Sequence, residues 1–168
     1  MTLDLKQDFT TIYKYVTERV KKFDEATYDG LGGPGKVKMV LLGYEFAQAG
    51  WVVLMFDTRE DAEPDGQWTD FIDGNELQLP HWPKASDAML DNGELEIVQV
   101  DGSKTVLPGD TELAVPLGEM LKAVMFKARA DGVLNSLPKA DDAEFGVENL
   151  DGYFGWPQYE DRGKENQL

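Results

Sequence analysis

Two apolar runs in the first third of the chain constrain the fold most. Val37–Leu42 and Trp51–Phe56 are rich in β-branched and aromatic side chains, which favour strands, and the polar stretch 48–50 joins them. Neither run alternates cleanly, and a strand that is apolar on both sides must be covered on both sides. We therefore predict a central antiparallel pair. The alternative is a helix over 41–49 that ends at Gly50, because short apolar runs are ambiguous.

Two further segments show the periodicity of amphipathic helices. Apolar residues recur at steps of three and four over 3–23 and again over 116–131, which gives each segment one apolar stripe. The first stripe would cover one face of the central sheet. A short helix is also predicted, capped by Ser86 and ended by Gly93.

The remaining strands are predicted from alternation and turn signals. Glu94–Val100 alternates and turns into Lys104–Leu107, which indicates a hairpin. Weaker signals predict a short strand at 67–72 and a last hairpin formed by 145–150 and 153–156. The sequence therefore predicts an α+β fold, with a mainly antiparallel sheet of about five to six strands packed by two long amphipathic helices.

Length and composition bound the organisation of the chain. At 168 residues we predict a single domain over 1–158, followed by a frayed polar tail at 159–168. Cysteine is absent, which excludes disulfides, thiolate metal sites and cysteine nucleophiles. The first residues lack the order of a signal peptide, so we expect a cytoplasmic protein.

The charge is strongly negative and unevenly distributed. The chain carries 32 acidic and 16 basic residues, a formal net charge of −16. Residues 1–40 hold 7 basic and 6 acidic residues, whereas the remainder holds 9 basic and 26 acidic residues. A field of this sign repels nucleic acid and anionic membranes and attracts a basic protein. The alternative is that the acidity only maintains solubility.

Two segments imitate ligand-binding loops, and their context argues against both. The glycines at 30–36 fit the spacing of a phosphate-binding loop, but such loops follow a strand and precede a helix, whereas the predicted order is helix, loop, strand. Residues 61–66 imitate the first half of an EF-hand loop, but Ile72 stands where a bidentate Glu is needed. We therefore predict no cofactor and no dedicated metal site.

An acidic loop that carries tryptophan is the main candidate for a binding surface. Exposed tryptophan flanked by carboxylates suits a basic or amphipathic ligand. The alternatives are that the rings fill gaps beneath loops, and that the loop is merely solvated or holds an adventitious cation. We predict that a basic protein partner contacts the acidic and tryptophan side chains of this region, namely Asp57, Glu60, Asp61, Glu63, Asp65, Trp68, Asp70 and Trp82.

His81 is the only histidine, and its surroundings in the sequence do not indicate catalysis. No serine lies in a Gly-x-Ser-x-Gly turn, and a zinc site would need carboxylates as its other ligands. We therefore predict a non-enzymatic acidic protein-binding module, of the inhibitor or immunity type, which masks a basic site on its partner. The alternative is a small-ligand-binding protein or a hydrolase that uses carboxylates with His81, which requires a pocket where carboxylates converge on the imidazole.

Overall fold

A computed structural model describes residues 1–23, 36–58, 75–109, 113–150 and 160–164. In these ranges the chain forms eight strands and three α-helices. The helices are α1 (Leu5–Lys21), α2 (His81–Asn92) and α3 (Ala114–Ala130). The strands are β1 (Thr2–Asp4), β2 (Val37–Glu45), β3 (Trp51–Asp57), β4 (Leu77–Gln78), β5 (Glu94–Val98), β6 (Lys104–Pro108), β7 (Lys139–Asn149) and β8 (Glu160–Lys164).

The predicted central pair is confirmed. Strands β2 and β3 are antiparallel neighbours, with Val40 opposite Phe56 and Leu42 opposite Leu54. They lie inside a five-stranded sheet in the order β4-β3-β2-β7-β8, so the alternative of a helix over 41–49 is wrong. Both faces of β2 are buried: Leu42 is 0% exposed within the main core, and Leu41 on the opposite face is 1% exposed. This explains why neither run alternates.

A second sheet of three strands has the order β1-β5-β6. The hairpin of β5 and β6 is the one predicted from alternation, with Glu94 opposite Pro108 and Val98 opposite Lys104. The edge strand β1 runs parallel to β5, and Leu3 is paired with Ile97. A strand of three residues at the start of the chain carries no local signal strong enough to predict it.

The prediction of one mainly antiparallel sheet is therefore corrected. The described strands form two sheets, and each sheet contains one parallel pair, β1 with β5 and β2 with β7. Parallel neighbours need a crossover connection, and α3 lies between β3 and β7 in the chain. The broader prediction of an α+β fold holds.

The two predicted amphipathic helices occur within a few residues of the expected bounds. Asp4 caps α1, and its carboxylate accepts a hydrogen bond from the Gln7 backbone N–H at 2.9 Å. The apolar stripes of α1 and α3 are buried in the main core. The two helices also contact each other, so one core joins them to the five-stranded sheet.

The third helix differs from its prediction at its start. Helix α2 begins at His81, and Ser86 is a buried residue inside it rather than its N-cap. Pro83 lies in the first helical turn, where a missing N–H costs no hydrogen bond. The predicted end is correct, because Gly93 takes the left-handed conformation with φ 70°.

The C-terminal part also differs from expectation. Residues 160–164, which fall in the region predicted as a frayed tail, form β8, antiparallel to β7. The strand predicted at 67–72 and the second arm of the hairpin at 153–156 lie outside the described residues. Within the described residues, no helix has the length and apolar character that a membrane crossing requires.

Candidate functional site

The structure places two of the predicted partner-binding residues, and both are buried. Asp57 ends β3 opposite Met39 and is 8% exposed. Trp82 is 1% exposed, in contrast to the exposed ring that we predicted. The others lie outside the described residues: Glu60, Asp61, Glu63, Asp65, Trp68 and Asp70.

Trp82 is buried because the first turn of α2 points its ring into the core. The ring lies edge-on to Tyr44, with centroids 6.3 Å apart and planes at 88°. Its indole N–H donates a hydrogen bond of 2.8 Å to the carboxylate of Asp8 on α1. A buried tryptophan normally needs such a partner for its polar atom. In this position the ring links α1 to α2, and its burial leaves it inaccessible to a partner protein.

Asp8 forms a second contact, with His81. The imidazole Nε2 lies 2.9 Å and 3.0 Å from the two carboxylate oxygens of Asp8. The Asp8 side chain is 4% exposed, whereas that of His81 is 40% exposed. In the tautomer that carries its proton on Nε2, the imidazole donates to this carboxylate. The cluster of Asp8, His81 and Trp82 is called the Asp8 cluster below.

Local sequence explains how the Asp8 cluster forms. Asp8 lies three residues after Leu5 and four before Ile12, so it faces the core with the apolar stripe of α1. The N-cap of α2 is Pro80, which offers no side-chain acceptor to the first turn. The carboxylate of Asp8 therefore places a negative charge near the positive end of α2, where the helix dipole favours it.

Chemically, the Asp8 cluster holds one imidazole in a fixed orientation. A histidine whose ring nitrogen faces a buried carboxylate resembles the orienting half of a hydrolytic triad. A nucleophile or a set of metal ligands would be needed to complete such a site. Within the described residues, no group of three His, Asp or Glu side chains is placed to hold a metal ion. The cluster therefore combines a structural contact with one half-exposed imidazole.

A second polar cluster joins α1 to the end of α3. The hydroxyl of Tyr13 donates to the carboxylate of Asp131, and Lys127 Nζ lies 2.8 Å from the same carboxylate. The Lys127 ammonium, followed by the Tyr13 hydroxyl, holds the pKa of Asp131 below its ordinary value. The hydrogen bond to Asp131 is also the largest cause of the raised pKa of Tyr13. The side chains of Lys127 and Asp131 are open to solvent and that of Tyr13 is partly buried, so the cluster is a surface contact between the two helices.

Sequence reasoning missed the Asp8 cluster, although one signal was present. Position 8 falls on the buried side of a clear apolar stripe, and an acid at such a position must find hydrogen-bond donors. The donors come from a segment 73 and 74 residues away, which no local pattern could identify. Comparisons with protein-family models, with curated proteins and with solved structures gave no match.

Proposed function

We propose that this chain is a non-enzymatic acidic module that binds a basic protein, in the manner of an inhibitor or immunity protein that masks a basic site such as a nuclease surface. The observation that carries the proposal is the net charge of −16, whose acidic excess lies entirely after residue 40. Such a field steers a basic partner and accelerates its association. The partner surface predicted from the sequence, the acidic loop after β3, remains part of the proposal.

The described surface adds support from α2 and the start of β5. Leu90 and Asp91 follow Asp87 by three and four residues on α2, Glu94 begins β5, and all four residues are exposed. Leu90 is 71% exposed, the largest value among the large apolar side chains of the described residues. No side-chain hydrogen bond or ion pair links the three acids to another residue in the described ranges. An apolar side chain within a charged rim is a common composition for an interface.

The test is capture of basic proteins by the immobilised chain. We expect binding of basic nucleases that falls steeply as salt rises from about 0.05 to 0.5 M, because screening shortens the range of the charges. Changing Asp61, Glu63 and Asp65 together to Ser should weaken capture without changing the unfolding midpoint. The matched control changes Asp24, Glu25 and Asp29 to Ser, which removes the same charge elsewhere. Capture that responds neither to salt nor to the first triple variant would contradict the proposal.

A second candidate function is favoured by the hydrogen bond between Asp8 and His81. In that case the chain is a small-ligand-binding protein or a hydrolase in which His81 acts as a base oriented by Asp8. We would then expect hydrolysis of p-nitrophenyl acetate or p-nitrophenyl phosphate that His81→Gln lowers by about 10² or more. Equal rates for the wild-type chain and the variant would exclude the hydrolase.

A further inference from the structure

A surface cavity of about 510 Å³, wide open to solvent, lies between the start of α1, the turn from β5 to β6, and the first half of α3. Its wall is mainly apolar and is formed by Leu5, Val100, Pro116, Met120 and Ala123. Leu5 is 1% exposed and Met120 is 2% exposed, because both belong to the main core. The wall is therefore held in place by packing that does not depend on a ligand.

The polar part of the lining consists of Gln99, Asp101, Ser103 and Glu119, two of which are carboxylates. The turn that carries the first three is held by its own hydrogen bonds. The Asp101 carboxylate accepts a hydrogen bond of 2.8 Å from the Ser103 backbone N–H. Hydrogen bonds from Ser103 lower the pKa of Asp101, so this carboxylate stays ionised at neutral pH. The turn is also closed by a 2.8 Å bond from the Gln99 N–H to the Ser103 carbonyl oxygen.

We propose that this cavity receives a lysine or arginine side chain of the basic partner, an inference that rests on the proposed function. Lysine and arginine carry an apolar stem and a cationic end, and such side chains lay the stem on apolar surface while the charge stays at a polar rim. Here the stem lies along the partly exposed Val100, Pro116 and Ala123, and the cation approaches Asp101 and Glu119. Anions are repelled by the two carboxylates, and a neutral apolar ligand would desolvate them without compensation.

Lys6 is a cation of this chain that lies beside the acidic rim of the cavity, so its removal tests the proposal. Its Nζ lies 3.5 Å from the position that a Cβ on Gly102 would take, beside Asp101 in the same turn. The Lys6 ammonium is therefore a like charge that competes with an incoming cation for the acidic rim. Replacing Lys6 with Gln should strengthen binding of a basic side chain about two- to fivefold. A cavity that takes only apolar groups would show no such gain.

The experiment follows the Met120 methyl signal of the full-length chain, labelled at methionine, by NMR. The chain has six methionines, and a Met120→Leu variant assigns the signal. The probe is N-acetyl-lysine methylamide, and the matched neutral probe is N-acetyl-norleucine methylamide. We expect a saturable shift with a dissociation constant of about 1–10 mM for the lysine probe and at least tenfold weaker binding of the norleucine probe.

Two double variants locate the charge requirement. Asp101→Asn with Glu119→Gln should weaken binding of the lysine probe about tenfold, and the amide oxygen introduced by the first change still accepts from the Ser103 N–H. The control, Asp141→Asn with Glu144→Gln, removes the same charge from β7 and should change binding less than twofold. The proposal is overturned by the absence of a saturable shift, by equal binding of the two probes, or by an equal loss in both double variants.

The same variants separate this proposal from the proposed function. Capture of a basic protein without binding of the lysine probe would leave the proposed function standing and remove the cavity from it. Binding of the lysine probe by a chain that captures no basic protein would establish the cavity as a cation site and refute the proposed function. Loss of both activities in the Asp101 and Glu119 double variant alone would support the two proposals together.

Discussion

Replacing Asp8 tests whether the Asp8 cluster stabilises the fold. Asp8→Ala leaves the Trp82 indole N–H without its partner at a site that is 1% exposed, where water cannot replace it. An unsatisfied buried donor costs about 1–3 kcal/mol. His81 is half-exposed and can turn to water, so its share is smaller, about 0.5–1 kcal/mol. Relief of the desolvation of the carboxylate offsets part of this loss.

The expected net change in the free energy of unfolding is a loss of about 2–3 kcal/mol. Urea unfolding followed by circular dichroism measures it as a lower midpoint at an unchanged slope. Asp87→Ala is the matched control, because Asp87 is exposed on α2 and should cost less than about 0.5 kcal/mol. Both variants lose one aspartate, so the difference between them isolates burial and hydrogen bonding.

A double-mutant cycle with Trp82→Phe identifies the contact responsible. The phenyl ring keeps part of the packing and removes the indole donor, so the two single variants share the loss of one hydrogen bond. We expect a coupling energy of about 1.5–3 kcal/mol, the range for a hydrogen bond to a charged group. A cost below about 1 kcal/mol for Asp8→Ala, or a coupling near zero, would refute the argument that this carboxylate joins α1 to α2.

Two further predictions concern the backbone and the response to acid. Gly50 and Gly93 both have positive φ, but only at Gly50 would a Cβ meet the Leu79 carbonyl oxygen, at 2.6 Å. Gly50→Ala should therefore lower the free energy of unfolding, measured in urea, by at least about 1 kcal/mol more than Gly93→Ala does. Equal costs would contradict the crowding at Gly50. The contact with Lys127 lowers the pKa of Asp131 in the folded chain. The stability that this contact adds is therefore complete above the pKa of Asp131 in the unfolded chain, and it is lost as pH falls through the pKa of Asp131 in the folded chain. Urea midpoints between about pH 2 and 7 should therefore show a gap between wild type and Asp131→Asn that shrinks below about pH 4, and a constant gap would contradict the assignment.

The elements that could be predicted are those whose signal is local. The pair of β2 and β3 and the helices α1 and α3 each occupy a segment whose own apolar pattern indicates its secondary structure. The hairpin of β5 and β6 is equally local, because a short turn at 99–103 sets its register. These predictions needed no information about distant parts of the chain.

The sheet topology could not be obtained in this way, because its determinants are distant in sequence. Thr2 pairs with Glu96, and the Thr2 hydroxyl donates to the Glu96 carboxylate at 3.0 Å, 94 residues away. Likewise, β2 and β7 are parallel across a connection that includes β3, α2 and α3. Local alternation indicates that a strand exists but not which neighbour it pairs with. A single antiparallel sheet was therefore the simplest arrangement that the patterns allowed, and it is wrong.

The position of Trp82 shows how one residue misled the prediction of the binding surface. Pro80 and Pro83 indicated a loop, and a tryptophan in a loop beside acids was expected to be exposed. Both prolines are compatible with a helix start, because the first-turn N–H groups make no hydrogen bonds within the helix. Once α2 begins at His81, Trp82 lies in its first turn with its ring in the core.

The Asp8 cluster also helps to position α2, which carries the exposed residues Asp87, Leu90 and Asp91. His81 and Trp82 form the first turn of α2, so their contacts with Asp8 fix where that helix starts against α1. On the same helix, Asp87 lies about one and a half turns further along, and the exposed Leu90 and Asp91 lie about two and a half turns further along. Under the proposed function, a variant at Asp8 should weaken partner binding only to the extent that it unfolds the chain or shifts α2. Changes at Leu90 should weaken binding without affecting stability. The buried carboxylate and the exposed surface are thus separable by experiment, although one helix carries both.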